Sequence, residues 1–275
     1  MFSDLMGHMY VWLFSRPRLR NRNKKILNLA LRAYGYNNHT SHRLTGEDFL
    51  LTEVLPRLDP RTLVDVGANV GAYSEKLLRA LPNSSVYSFE PLPKSYSKLA
   101  KLSESFGQRH ITINAAAGDK AQRQTLHYNP DATTHASLAP EVSKVPYVSN
   151  LDTTEIEVLT LDEYFEQNTP RSTIDFIKID TEGFEAEVLA GAAKTIDRHR
   201  PKGIQIEYNW HQLFRNQSLY SLSSALTDYT AFQLLPDGIA RRDTKDPLAN
   251  VFAFSNFVFI RNDLIDTLKA NGLNI

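Results

Sequence analysis

The chain is expected to fold as an α/β domain, a mostly parallel seven-stranded sheet with helices on both faces and an antiparallel pair at one edge. Three observations predict this. From residue 62 onward, short apolar runs of strand length alternate with segments of helical spacing. Strands that follow one another through a helix pair in parallel, with the crossovers covering the sheet. The last two apolar runs, 231–235 and 252–260, are joined by a loop with no helical pattern, which suits antiparallel pairing.

The elements follow in order. Helical spacing covers 24–34 and 47–58, and Pro60 then punctuates the chain. A strand at 62–66 leads to a helix at 71–81, and a strand at 85–89 leads to a helix at 93–106 with proline in its first turn. The run 111–116 reads as a third strand. Residues 118–158 break the rhythm, with strand-like pieces at 124–128 and 155–159 around a polar loop, 129–150. A loop that long inside a domain is usually functional. A short helix at 161–167 precedes a strand at 174–179. The next helix places Phe184, Val188, Ala192 and Ile196 on one stripe. A strand at 203–207, a helix near 219–229 and the two final strands complete the series. Residues 1–45 read as a helical, basic extension and 46–275 as the main domain.

Composition narrows the function. With 275 residues, 42% hydrophobic and 23% charged, the chain resembles an ordinary globular protein. No apolar stretch reaches the ~18 residues of a spanning helix. The absence of cysteine excludes disulfides, thiolate metal sites and cysteine nucleophiles; it fits a reducing, cytoplasmic setting. Net charge is zero, yet 16–25 (RPRLRNRNKK) holds six of the 31 basic residues, leaving 25 basic and 30 acidic side chains among the last 250. A mildly acidic body is a poor platform for nucleic acid. The apolar stretch 5–14 precedes the basic run, the reverse of a secretory signal. Two readings stand for residues 1–25: contact with the body or a second subunit in an oligomer, or a peripheral anchor on a membrane surface.

In a parallel sheet ligands gather at the carboxyl ends of the strands. The first strand ends in Asp65-Val66-Gly67-Ala68-Asn69-Val70-Gly71. Two glycines allow close approach to a ligand at a helix start, whose free N–H groups favour an anion. The loop lacks the middle glycine of a dinucleotide fingerprint and the Lys-Ser/Thr of a phosphate loop, so a small carboxylate suits it better. This counts against a nicotinamide oxidoreductase. The second strand ends in Glu90-Pro91, 23 residues after Gly67, near the ~20 at which such folds place an acid on ribose hydroxyls. The fourth strand, 174–179, runs into Asp180-Thr181-Glu182-Gly183, and the fifth brings Glu207, Asn209 and His211 to the same rim. Lys178, charged within an apolar strand, needs a partner, either Asp180 or Glu207.

Together these residues resemble the FkbM family of S-adenosylmethionine-dependent methyltransferases. The likeness is carried by VDVGANVGAYS (64–74), YSFEPLP (87–93), INAAAG (113–118), Ser137-Leu138, LTLDEYF (159–165), DFIKIDTEGFEAEVLAGA (175–192) and IQIEYN (204–209). It implies a Rossmann-like class I methyltransferase fold and S-adenosylmethionine as cofactor. On this resemblance the loop Gly67–Gly71, including Val70, takes the methionine end, with Asp65 and Asn69 on its amino and carboxylate groups. Glu90, with Pro91 beside it, holds the ribose, Ala116 edges the adenine, and Asp180 lies beside the methionine or the transferred methyl. The expected reaction is O-methylation of a hydroxyl on a sugar, glycan or related natural product. Such a hydroxyl must lose its proton, and the candidates for that work are Asp180, Glu182, Glu207 and His211, with His135 from the long loop. The same carboxylates could instead hold a hard divalent cation. A non-catalytic scaffold or membrane-surface module is the alternative from another class.

Overall fold

The computed structural model describes residues 2–168 and 173–275. Its main sheet has eight strands: β1 (Thr62–Val66), β2 (Ser85–Phe89), β3 (His110–Ile113), β7 (Ile174–Ile179), β8 (Gly203–Tyr208), β9 (Tyr229–Leu235), β10 (Gly238–Arg241) and β11 (Ser255–Arg261). A second, three-stranded sheet comprises β4 (Ala116–Ala117), β5 (Gln122–Tyr128) and β6 (Asp152–Leu159). The main order is β10-β9-β11-β8-β7-β1-β2-β3. Its five strands from β8 to β3 are parallel, and β11 lies antiparallel between β8 and β9.

The strand count is therefore eight, not seven. β10 escapes a sequence reading because it has four residues with only Ile239 buried, after a Pro-Asp-Gly turn. The run 111–116 is split between the two sheets at Asn114, whose amide donates to the carbonyls of Glu90 and Pro91 at 2.9 and 3.1 Å. The expected helix at 219–229 is confined to Leu219–Ser223. Ser221, Ser223 and Ser224 there turn their hydroxyls back onto backbone carbonyls, a local competitor to continued helix.

Strand alternation sorts the core onto two faces. Val64, Ile177, Ile204 and Phe257 pack on one, and Leu63, Val86, Phe176 and Val258 pack on the other. The second face is covered by the helical segment that ends at Leu55–Leu58 and by helix Ala72–Ala80. Residues read as the tail of the extension are packed as well: Tyr36 is buried in the first face and donates to the Leu248 carbonyl.

The helix after β7 is broken into Glu185–Ala190 and Ala193–His199. A Cβ on Gly191 would stand 1.8 Å from the Gly118 carbonyl oxygen, so the chain passes this point only with glycine. Gly191→Ala is expected to cost about 1–3 kcal/mol in urea unfolding, the range for an overpacked contact. An unchanged midpoint would mean that the two backbones can part without loss.

Candidate active site

The carboxyl ends of β1, β2, β7 and β8 open on a cavity of about 480 Å³, within the usual range of roughly 300–1,000 Å³ for small-molecule sites. Sheet topology puts it there, since the loops leaving these strands converge on one edge.

On the β1 side, Gly67 has φ +82°, and its N–H and that of Ala68 donate to the Phe89 carbonyl. A Cβ on Gly67 would lie 1.8 Å from the Asp180 carbonyl oxygen, so the loop is pressed against the end of β7. Asn69, also left-handed at φ +48°, donates its N–H to Oε2 of Glu90 at 2.8 Å. Gly67, Asn69, Glu90, Pro91 and Ala116 all line the cavity. Val70 and Gly71 are not among the lining residues: Val70 is exposed, and Gly71 packs against Leu99 and Leu102 as it starts helix Ala72–Ala80.

Glu90 is buried, with its second oxygen accepting from the Leu92 N–H at 2.8 Å. Burial pushes its pKa up to about 7, against the lowering effect of those two backbone bonds. Each oxygen accepts one N–H, and a carboxylate has room for more donors.

Asp65 is placed otherwise than expected. It is 0% exposed and behind the loop, outside the cavity wall, with its carboxylate committed to Ser74 Oγ at 2.5 Å and Lys178 Nζ at 3.6 Å. Lys178 also meets Asp180 at 3.0 Å. Of the two partners expected for Lys178, Asp180 is the one that pairs with it, and Asp65 on the neighbouring strand lies near it as well. Burial works against the ammonium, but Asp180, Asp65 and Glu47 outweigh it and hold the Lys178 pKa above its usual value.

The other side of the cavity is acidic. Asp180, Glu182 and Glu207 line it, joined by Glu47. Burial raises Asp180, with Lys178 opposing. Burial, then the charges of Asp180 and Glu182, raise Glu207 well above the carboxylate range, while its Oε1 accepts from Asn209 at 2.7 Å. Glu182 goes the other way. Burial opposes its charge, but the rings of His135 and His211 prevail and hold it at about 2. Nδ1 of His211 lies 2.7 Å from one oxygen of Glu182 and Nδ1 of His135 lies 3.5 Å from the other. Neighbouring carboxyls with pKa values driven apart are the usual signature of divided acid and base roles.

Glu182 sits at φ +54°, uncommon for a residue with a side chain. Its carbonyl accepts from Ser137 Oγ at 2.7 Å, tying the long loop to the end of β7. His211 is fully buried behind Glu182 and does not line the cavity; His135 is half exposed beside it. Two groups of side chains could hold a cation, Asp180–Glu182–Glu207 and His135–Glu182–His211, the ligand atoms of each lying within 4.8 Å of one another. The second group adds histidines to the carboxylate set expected from sequence.

Part of the wall was invisible in the sequence. His39, Ser41, His42, Thr45 and Glu47 come from before β1, and Phe254 and Asn256 from the start of β11. Glu47 is buried, with Nδ1 of His42 at 2.5 Å and Thr45 Oγ1 donating at 3.2 Å. Only the apolar helical pattern after Glu47 marks this segment, and that pattern reports the buried face, not the acid at its head.

Comparison with known proteins accords with this geometry. The model of the Methyltransferase FkbM domain matches residues 65–234. The 2-O-methyltransferase NoeI of Sinorhizobium fredii (strain NBRC 101917 / NGR234) is 25% identical over 201 residues, which span 69% of this chain and 80% of NoeI. Methyltransferase sdnD of Sordaria araneosa is 27% identical over 161 residues, 47% of this chain and 59% of sdnD. Among solved structures, methyltransferase FkbM from Methylobacillus flagellatus KT aligns at 20% identity with a TM-score of 0.45, over 74% of this chain and 44% of that one. The matched span contains the glycine loop, Glu90, the Asp180–Glu182 strand end and Glu207, and on it the chain belongs to the FkbM family of S-adenosylmethionine-dependent methyltransferases.

Proposed function

We propose that this enzyme methylates a hydroxyl of a sugar, glycan or related natural product. The observation that carries the reading is the division of one cavity between Glu90 at one end and the Glu182–His211 pair with Glu207 at the other. Glu90 keeps acceptor capacity for a vicinal diol, and the Gly67–Asn69 loop brings backbone close to the cavity, so the residues present fit S-adenosylmethionine. When bound, that cofactor supplies an electrophilic methyl group on a positively charged sulfur.

The chain's own residues do the rest. Glu182, which stays ionised at neutral pH, is the cavity-facing group able to accept a hydrogen bond from the acceptor hydroxyl as it loses its proton. Burial and the charges of Asp180 and Glu182 favour the protonated form of Glu207, which in that form can donate to a second oxygen of a polyol. Lys178, 3.0 Å from Asp180, favours that carboxylate's charge near the loop, against the opposing effect of burial. Holding the hydroxyl aligned in a closed pocket supplies much of the acceleration.

Beside this cluster the rings of Tyr147 and Trp210 stack at 5.8 Å, both well exposed, with Tyr147 6.3 Å from His211. Neither ring lines the cavity, but the outer face of this exposed stack is an apolar surface that suits a sugar ring. Of the neighbouring aromatics, Tyr208 is fully buried, Phe214 packs against a small valine cluster, and Tyr220 is exposed. The likeness to the 2-O-methyltransferase NoeI supports an oxygen acceptor.

The test is transfer of labelled methyl from S-adenosylmethionine to a panel of saccharides, polyketides, carboxylic acids and oligonucleotides. Label in an alkali-stable ether on a saccharide or polyketide is expected; label only in a base-labile ester or on nucleic acid would overturn the reading. Trp210→Ala should raise KM for the acceptor about two- to tenfold, the worth of one aromatic contact, with kcat little changed.

A further inference from the structure

The structure assigns the N-terminal helix, Phe2–Phe14, to an anionic lipid surface, on which it lies at the headgroup boundary with segment 16–25 against the phosphates. This inference stands apart from the choice of acceptor.

No residue from Asp4 to Tyr34 is buried. Leu5 and Trp12 are each 69% exposed, and Met6, Met9 and Leu13 are exposed with them. A helix that is apolar over most of its circumference is ordinarily covered. Helical spacing puts Asp4 and His8 on one narrow stripe, at i and i+4, with Met6, Met9 and Leu13 on the opposite side and Leu5 and Trp12 on the flank between them. At about 1.5 Å per residue the helix is roughly 20 Å long, short of the ~30 Å of a bilayer core. No helix among the described residues is long and apolar enough to cross a membrane. A polar stripe, a broad apolar face with tryptophan and tyrosine, and insufficient length describe an element that lies in the interface.

Charge decides between a lipid surface and a second copy of the chain. Between Asp4 and Glu47 there is no acidic residue, while Arg16, Arg18, Arg20, Arg22, Lys24 and Lys25 follow the helix directly. Helix Arg20–Ala33, which carries four of these six, is exposed except at Asn23 and at Leu31, where it touches the core. Pairing two copies through this region would bring twelve cations together with only the two Asp4 carboxylates to answer them. Anionic headgroups answer them at once, and a polybasic run beside an apolar element is the two-part signal that stable peripheral binding needs. The remainder of the chain is mildly acidic, so the same surface repels it and orients the molecule N-terminus down.

The test is flotation of the full chain with vesicles of phosphatidylcholine alone and of an equimolar phosphatidylcholine–phosphatidylglycerol mixture. The chain is expected to float with the mixed vesicles, at least about tenfold less with phosphatidylcholine, and to be released by high salt. The triple variants Leu5→Glu/Met9→Glu/Trp12→Glu and Arg18→Gln/Arg20→Gln/Arg22→Gln should each stay at the bottom of the gradient. Both should retain S-adenosylhomocysteine binding, which shows that the body is intact. A parent chain that stays at the bottom with both vesicles would overturn the inference. So would an oligomer that the apolar triple variant dissociates and that never floats.

Discussion

Calorimetric titration of the Glu90→Ala chain with S-adenosylhomocysteine should give no heat at concentrations that saturate the parent. Glu90 is buried with one backbone N–H on each oxygen, and it faces the cavity at the distance from Gly67 where an acid meets a ribose. Removing it leaves those N–H groups and an incoming diol without an acceptor. The pH dependence gives a second readout. In the ligand-free fold Glu90 titrates at about 7. Diol donors favour its ionised form, so binding below that pH must release a proton. Affinity is therefore expected to rise up to tenfold per pH unit below about 7 and to level off above it. Glu90→Gln should bind weakly and without that slope. The raised value has its own sign in stability. The folded chain holds this proton more tightly than the unfolded one, so ionisation costs stability as pH climbs from 4.5 toward about 7. Undiminished binding in Glu90→Ala would move the cofactor's ribose away from this strand end.

Glu182→Gln should lower single-turnover methyl transfer by about 10²-fold, the low end for a positioned base because a carboxylate held at about 2 accepts a proton weakly, with S-adenosylhomocysteine binding retained. Glu182 is held at about 2 between His135 and His211, so its own protonation should not appear in a rate profile between pH 5 and 8. His135, raised by its contact with Glu182, holds its proton to higher pH than an ordinary histidine. In stability the two act oppositely. The Glu182 contribution is present above its unfolded value of 4.5 and fades as pH falls toward about 2. That of His135 is present below 6.5 and is lost as pH rises through its higher folded value. Full turnover in Glu182→Gln would transfer the proton-accepting role to Asp180.

Much of this site could be read in the sequence because strand ends announce themselves. Alternation in 174–179 placed Lys178 and Asp180 on one side, and β7 holds them there. The interval from Gly67 to Glu90 is one strand–helix–strand unit, which fixes where the two meet. What sequence could not supply depends on contacts far apart in the chain. Asp65 was expected at the ligand because it stands at a strand end; its register places it opposite Lys178 on β7, 3.6 Å away and outside the cavity wall. His211 was expected at the rim and lies behind it, since its ring is covered as Glu182 turns outward at positive φ. The break at Asn114 and the four-residue β10 carry no period long enough to detect.

The wall formed by His42, Thr45, Glu47 and Asn256 has a consequence for divergence within the family. None of these residues falls within 65–234, the span by which kinship is recognised. They join the matched segment only in space. Two members can thus keep that segment nearly intact, share a cofactor, and differ wholly in the surface their cavities offer to a guest. Descent is recorded in one stretch of this chain, and the outline of the chamber is drawn partly by the stretches on either side of it.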